Sequence, residues 1–286
     1  MVKCIAIDMD GTLLTSAQEI TAENREAIKL AQESGVEVVI ATGRAYEEAG
    51  DLLKDAGIIT PMICANGAEI RTSAHEVIQT NPLSKDLAKE VAEILHSHQV
   101  YYEVYTNKGT YTLDKTMARS LIMDIFTVNG HVKDMDMDEI KKAAEERLQE
   151  VNQLDSYAVL FEDESQVIYK LLAFHFEPVT LNEVREKLKG NSKLAVSASG
   201  KENIEITAVE AQKGIALEEF VDARGISLQD TMAIGDNYND LSMMLKVGRA
   251  VAMGNADEEI QRQCHFVTAT NEESGVGKAI KLALEV

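Results

Sequence analysis

The 286-residue chain predicts an α/β protein, a doubly wound parallel sheet interrupted by an inserted α+β domain. Three observations predict it. Short apolar runs at 3–7, 36–41 and 231–234 each end in a polar turn that contains or adjoins glycine, the pattern of central strands covered on both faces. Helical periodicity fills the gaps after the first two runs, and strand–helix alternation is the signature of a parallel sheet with helical crossovers. After Pro82 that alternation gives way to a mixed run of strands and helices.

Element by element, a strand at 3–7 leads to a helix at 22–34 stopped by Gly35, and a strand at 36–41 to a helix at 45–56 stopped by Gly57. A strand at 62–65 then enters a short hairpin through Asn66-Gly67 as far as Ile70. Beyond Pro82 the expected order is helix 84–98, strands 100–106 and 109–113, helices 115–126 and 138–151, strands 157–162 and 167–175, helix 180–189 and strand 193–197. The alternation is expected to resume with strand 203–207, helix 215–223 and strand 231–234. Asn81-Pro82 on one side and Ser197 to Gly200 on the other carry linker chemistry. The stretch between Asn66 and Lys213 far exceeds the ~15 residues a compact loop reaches, so it must fold by itself. The expected division is a discontinuous core of 1–82 and 200–286 around an insertion of 83–199, in keeping with a length beyond the ~150-residue prior for one domain.

Chemistry-bearing residues gather where strands end, the place where open α/β sheets bind ligands. Asp8-Met9-Asp10-Gly11-Thr12 closes the first strand. Such an i, i+2 carboxylate pair has the geometry for two roles, one oxygen attacking as nucleophile and the other group shuttling a proton. Gly11 permits a tight turn with amides open to an anion. An Asp-rich turn that merely closes a strand is the alternative. Thr42-Gly43-Arg44 follows the second long strand and opens a helix, as a phosphate cradle would and as a plain N-cap would too. Lys213 begins another helix, where an isolated lysine is ordinarily solvated. Gly235-Asp236-Asn237-Tyr238-Asn239-Asp240 ends strand 231–234 in hard oxygen donors suited to Mg2+, or in a helix start with Asp240 favourable to the dipole.

In this order, each at a strand end or a helix start, these segments resemble the haloacid dehalogenase-like hydrolase superfamily. Asp8-Met9-Asp10-Gly11-Thr12, Thr42, Lys213 and Gly235-Asp236-x-x-Asn239-Asp240 match its four motifs, and Asn66-Gly67-Ala68 matches a segment of its Cof-type phosphatase branch. The resemblance implies a Rossmann-like hydrolase core with a cap inserted between the second and third motifs. It implies Mg2+-dependent hydrolysis of small phosphorylated metabolites, such as sugar phosphates, nucleotides or flavin-precursor phosphates, through an aspartyl-phosphate on Asp8 with Asp10 as acid and base. Mg2+ would be held by the Asp8 carboxylate, the Asp10 main-chain carbonyl and Asp236, with Asp240 one layer further out. Thr42, Lys213, Asn239 and the amides of Met9 and Gly43 would hold phosphoryl oxygens. Arg44 is placed either to salt-bridge within the core or to reach the substrate, and Asn66, at a strand end, is a candidate to touch the rest of the substrate. Asp10 points to phosphate esters, since dehalogenases of the superfamily have no leaving oxygen to protonate. A phosphomannomutase-like phosphotransferase is the alternative within the superfamily. A non-enzymatic phosphoacceptor domain is the alternative outside it, although such domains lack D-x-D-G-T.

The remaining signals set limits. A net charge of −20 argues against nucleic acid or an anionic membrane as partner, so phosphate must be captured by local cations and amides. Cys4, Cys64 and Cys264 form no C-x-x-C pair, the N-terminus is unlike a signal peptide, and no apolar run reaches the ~18 residues of a membrane helix; cytoplasm is the expected compartment. His96 and His98 point along different sides of a helix end, and His75, His131, His175 and His265 are scattered, so no second metal site is expected. Tyr101 and Tyr105 share one face of an expected strand in the insertion.

Overall fold

The computed structural model describes residues 1–128, 137–149, 151–200 and 202–285. His131 and the acidic run from Asp134 to Asp136 lie outside them, as does residue 150 of the expected helix 138–151. In chain order the elements are β1 (Cys4–Ile7), α1 (Ala22–Glu33), β2 (Glu37–Ala41), α2 (Tyr46–Asp55), β3 (Met62–Cys64), β4 (Glu69–Arg71), β5 (Val77–Thr80), α3 (Lys85–Ser97), β6 (Tyr101–Thr106), β7 (Gly109–Thr112), α4 (Lys115–Val128), α5 (Met137–Gln149), β8 (Val151–Gln153), α6 (Ala158–Glu162), β9 (Ile168–Phe174), α7 (Pro178–Lys189), β10 (Leu194–Ser197), β11 (Asn203–Ala208), α8 (Lys213–Asp222), β12 (Thr231–Gly235), α9 (Leu241–Met244), β13 (Arg249–Ala252), α10 (Glu258–Gln261), β14 (Phe266–Val267) and α11 (Gly275–Leu284). The chain divides into two compact units, one of Met1–Asn81 with Glu210–Val286 and the other Pro82–Val209.

The first unit is built on an eight-stranded sheet in the order β14-β13-β12-β1-β2-β3-β4-β5. From β14 to β3 neighbouring strands run parallel, and the hairpin strands β4 and β5 add an antiparallel edge. Central β1 is buried throughout and alternates between two cores. Ile5 and Ile7 pack with Ile28 of α1, Leu53 of α2 and Ile280 of α11, whereas Cys4 and Ala6 pack with Leu217 and Phe220 of α8 and Met243 of α9. Burial on both faces is why these strands read as continuous apolar runs. The chain leaves β1 toward β2 on one side and returns later as β12 on the other, so β1 sits at the switch in strand order.

The second unit carries a six-stranded sheet in the order β10-β11-β9-β6-β7-β8. Here three expectations are corrected. The strand expected to resume the core alternation at 203–207 is β11, which pairs antiparallel with β9 and β10; the return to the first unit therefore comes after Val209 and not at residue 200. The segment expected as strand 157–162 is helix α6, because Tyr157, Leu160 and Phe161 are buried while Val159 is exposed, a spacing of three and four. The charged helix is described as Met137–Gln149, and Val151, expected as its last residue, instead opens β8 (Val151–Gln153) beside β7.

Candidate active site

Four loops that follow parallel strands, after β1, β2, β3 and β12, together with the start of α8, bring the functional candidates of the first unit together. After β1 the backbone makes a wide turn in which Leu13 N donates to Asp8 O (3.2 Å) and Leu14 N to Met9 O (2.9 Å), five-residue spacings of the π type often found at functional sites. Gly11 sits in this turn at φ 76°, and a Cβ there would lie 2.4 Å from Asp236 Oδ2. Only glycine lets the loop after β1 close on the carboxylate that follows β12.

Lys213, at the first turn of α8, is fully buried and donates to Asp8 Oδ1 (2.6 Å) and Asp240 Oδ1 (2.7 Å). The other oxygen of Asp240 accepts from the backbone amides of Asp236 and Asn237, both at 3.0 Å. Thr12 Oγ1 donates to Asp236 Oδ1 (2.7 Å). Asp240 thus spends both oxygens on the protein, whereas neither Asp8 Oδ2 nor Asp236 Oδ2 accepts a hydrogen bond from the described residues. One carboxylate oxygen from each of the three aspartates lies within 4.8 Å of the others. At about 4 Å, two like charges cost ~4 kcal/mol even at an effective dielectric of 20. Burial, then the Asp240 charge, raises the Asp8 carboxyl to about 7 despite Lys213. Loss of water and the charges of Asp8 and Asp240 push Asp236 well above the carboxylate range. Burial opposes the charge on Lys213, but Asp240 and Asp8 outweigh it and hold the ammonium above its ordinary range.

One ammonium against three clustered carboxylates leaves the pocket short of positive charge, and every donor still open is a hard oxygen. Such a set fits a divalent cation of the Mg2+ type. Among the described residues the acidic group Asp8, Asp236 and Asp240 has no competitor in the histidines: His98 Nδ1 lies 2.7 Å from its own helix carbonyl at Ile94.

The remaining candidates form two smaller groups. Asn239 Nδ2 donates to Asn66 Oδ1 (3.2 Å), and Asn66 N to Thr42 O (2.9 Å), so the loops after β2, β3 and β12 are joined. Asn66 is buried in the left-handed region (φ 59°), and Asn239 Oδ1 is a buried acceptor without a partner among the described residues. Thr42 is fully buried, with its hydroxyl oxygen accepting from Arg44 N (3.1 Å), and Met9 is buried beside Asp8. Gly43 lies between Thr42 and Arg44 in the loop from β2 to α2. Arg44 turns onto Asp10, with Nε to Oδ2 at 2.8 Å and a terminal nitrogen to Oδ1 at 2.5 Å, and also donates to Gln18. Sequence reasoning overlooked the contacts of Thr12, Gln18 and Asn255. Asn255 Nδ2 holds the Gly11 carbonyl (2.8 Å) from far along the chain, with no local pattern to betray it.

In the second unit, Tyr101 and Tyr105 share a face as expected, but their hydroxyls are engaged within it. Tyr101 donates to Glu103 (3.0 Å), Tyr105 lies under Lys170, and Lys170 is paired with Glu205 at 2.8 Å.

Residues 5–280 match the family described as haloacid dehalogenase-like hydrolase. A 5-amino-6-(5-phospho-D-ribitylamino)uracil phosphatase of Bacillus subtilis (strain 168) is 38% identical over 278 residues, covering 96% of this chain and 95% of its own. A pyridoxal phosphate phosphatase of Escherichia coli (strain K12) is 27% identical, with 97% of each chain covered. Among solved structures, a haloacid dehalogenase-like hydrolase from B. subtilis is 34% identical with a TM-score of 0.90, covering 98% of this chain and 99% of its own.

Proposed function

This chain belongs to the haloacid dehalogenase-like hydrolases, and from that premise we propose that it is a Mg2+-dependent phosphatase of small phosphorylated metabolites that works through an aspartyl-phosphate. The observation that carries this reading is Lys213, buried and bonded to both Asp8 and Asp240. An ammonium fixed between two loops is a preorganised charge for phosphoryl oxygens, and it holds the Asp8 carboxylate in place as nucleophile. Mg2+, held by Asp8, the Asp10 main-chain carbonyl and Asp236, would neutralise the crowded carboxylates and the charge developing on phosphorus.

The chain's own residues then divide the reaction in two. An Asp8 oxygen forms a bond to phosphorus while the bond to the leaving oxygen breaks, and Asp10 gives that oxygen its proton. Asp10 next takes a proton from water, the water oxygen bonds to phosphorus, and the phosphorus–Asp8 bond breaks to regenerate the enzyme. Thr42, Asn239 and the amides of Met9 and Gly43 supply further donors to the phosphoryl group.

Relatives along the whole chain that are named phosphatases support hydrolysis over the phosphotransferase alternative, and family membership supports an enzyme over a phosphoacceptor switch. The leading substrate candidates are the flavin-precursor phosphate of the 38% identical relative and pyridoxal phosphate, with sugar phosphates next. The acidic chain favours neither nucleic acid nor a membrane as partner. Among the described residues no helix is long and apolar enough to cross a membrane. The buried thiols Cys4 and Cys64 suit a reducing compartment, so we place the protein in the cytoplasm. The test is phosphate release from a panel of phosphorylated metabolites, with and without Mg2+. Turnover ranked by kcat/KM is expected, with silence after chelation; full activity after exhaustive EDTA dialysis would sink the metal assignment.

A further inference from the structure

We propose that Arg44 is a positioning residue for proton transfer, a clasp that holds the Asp10 carboxylate in one orientation and is itself anchored on Gln18. The proposal rests on the reading of Asp10 as acid and base. Asp10 differs from Asp8 in its surroundings: half of its side chain is exposed, and it precedes a glycine at positive φ. A carboxylate in that position can rotate among rotamers. The Arg44 guanidinium meets both of its oxygens, at 2.8 and 2.5 Å, and a two-point fork fixes rotation as well as distance.

Arg44 is held in turn. Its amide donates to Thr42 Oγ1 (3.1 Å) and its carbonyl accepts from Ala65 N (2.8 Å). Its guanidinium also donates to the side chain of Gln18, at the tip of a small hairpin closed by the Leu14–Ile20 bridge. Gln18 has φ 60°, a left-handed conformation that a non-glycine residue adopts at a cost. The turn is locked by Gln18 N to Thr15 O and Thr15 N to Glu19 O, both 2.9 Å. One side chain therefore ties the loops after β1 and β2 to this hairpin. An ion pair with a half-exposed carboxylate adds little to stability, so the clasp's effect belongs to catalysis.

Leaving groups separate this role from a structural one. A 2,4-dinitrophenolate departs without a proton, whereas an alkoxide needs one, and kcat/KM reports events through departure. We would measure kcat/KM with Mg2+ for 2,4-dinitrophenyl phosphate and glycerol phosphate in the wild type, Arg44→Gln, Arg44→Lys, Gln18→Ala and Asp10→Asn, beside each melting temperature. Arg44→Gln should lower the alkyl-to-aryl ratio by ~10-fold or more, within the 10²–10⁴ range of general acid catalysis. Arg44→Lys, which keeps charge but not the fork, should lower it too, and Gln18→Ala less. Equal losses on both esters, or no loss on either, would overturn the clasp. If Arg44→Gln does not fold, the exposed Gln18→Ala decides: an unchanged ratio overturns the proposal. If Asp10→Asn itself leaves the ratio unchanged, the acid assignment falls and the clasp with it. Turnover of both esters by Asp8→Asn would instead overturn the covalent mechanism.

Discussion

A lysine without access to water is tolerable only where its charge is matched, and Lys213 is matched twice, by Asp8 and Asp240, while its single charge faces a cluster of three carboxylates. Two predictions follow from that imbalance. Asp8→Asn should lower turnover of p-nitrophenyl phosphate by ~10³-fold or more, as nucleophile removal commonly does. The melting temperature should hold, because Lys213 keeps Asp240 and a like charge is gone. The second concerns pH. Burial and neighbouring charge raise Asp8 to about 7 and push Asp236 up, so the folded protein binds more protons than the unfolded chain between about pH 4 and pH 7. Stability in EDTA should therefore fall as pH rises through that window. Mg2+ should relieve the repulsion, so its gain in melting temperature should be larger at pH 8 than at pH 5. Asp236→Asn should flatten both trends; equal Mg2+ shifts at the two pH values would contradict the account.

At the scale of elements, the site depends on how closely α8 meets α9. A Cβ on Gly214 would lie 1.8 Å from Ser242 O, and Gly214 N donates to Ser242 Oγ (3.0 Å). Glycine at the second position of α8 thus sets the depth at which Lys213 enters the pocket. Gly214→Ala should destabilise the protein by about 1–3 kcal/mol, the usual range for overpacking, seen as a lower urea midpoint. It should also cost activity out of proportion, because Lys213 moves with its helix. Wild-type kcat in a folded Gly214→Ala protein would show that the approach of the two helices does not place the lysine. β1 carries the complementary lesson: its alternation of Ile5 and Ile7 with Cys4 and Ala6 between two cores leaves its carboxyl end as the exit for polar groups.

For the whole molecule, the pairing of β11 with β9 and β10 decides where the inserted unit can be cut. Replacing residues 83–208 with a flexible Gly/Ser linker should leave a folded first unit with weak activity on small activated esters. It should lose discrimination among metabolites, because binding energy from the rest of the substrate is what lowers the barrier for larger esters. Excision of 83–198 should instead leave β11 without partners, and an unpaired apolar strand invites aggregation. Circular dichroism and solubility compare the two deletions, and kcat/KM across a metabolite panel checks the first. An unchanged substrate ranking would place selectivity in the first unit.

Short-range order was legible in the sequence because its causes are local: two-sided burial writes apolar runs such as 36–41, and strand ends collect Asp8, Thr42 and Asp236. What the tertiary structure decided involves partners that no local pattern names. Strand 203–207 looks the same from either side of the border, and only its hydrogen bonds assign it to the six-stranded sheet. The segment at 157–162 is apolar enough for a strand, and packing of Tyr157, Leu160 and Phe161 made it a helix. Lys213 could have been an ordinary surface lysine; the folded chain buried it between Asp8 and Asp240. Arg44 could have pointed anywhere, and the fold turned it onto Asp10 and Gln18. Composition and spacing set which groups are present, whereas their charges become coupled only when strands distant in sequence lie side by side.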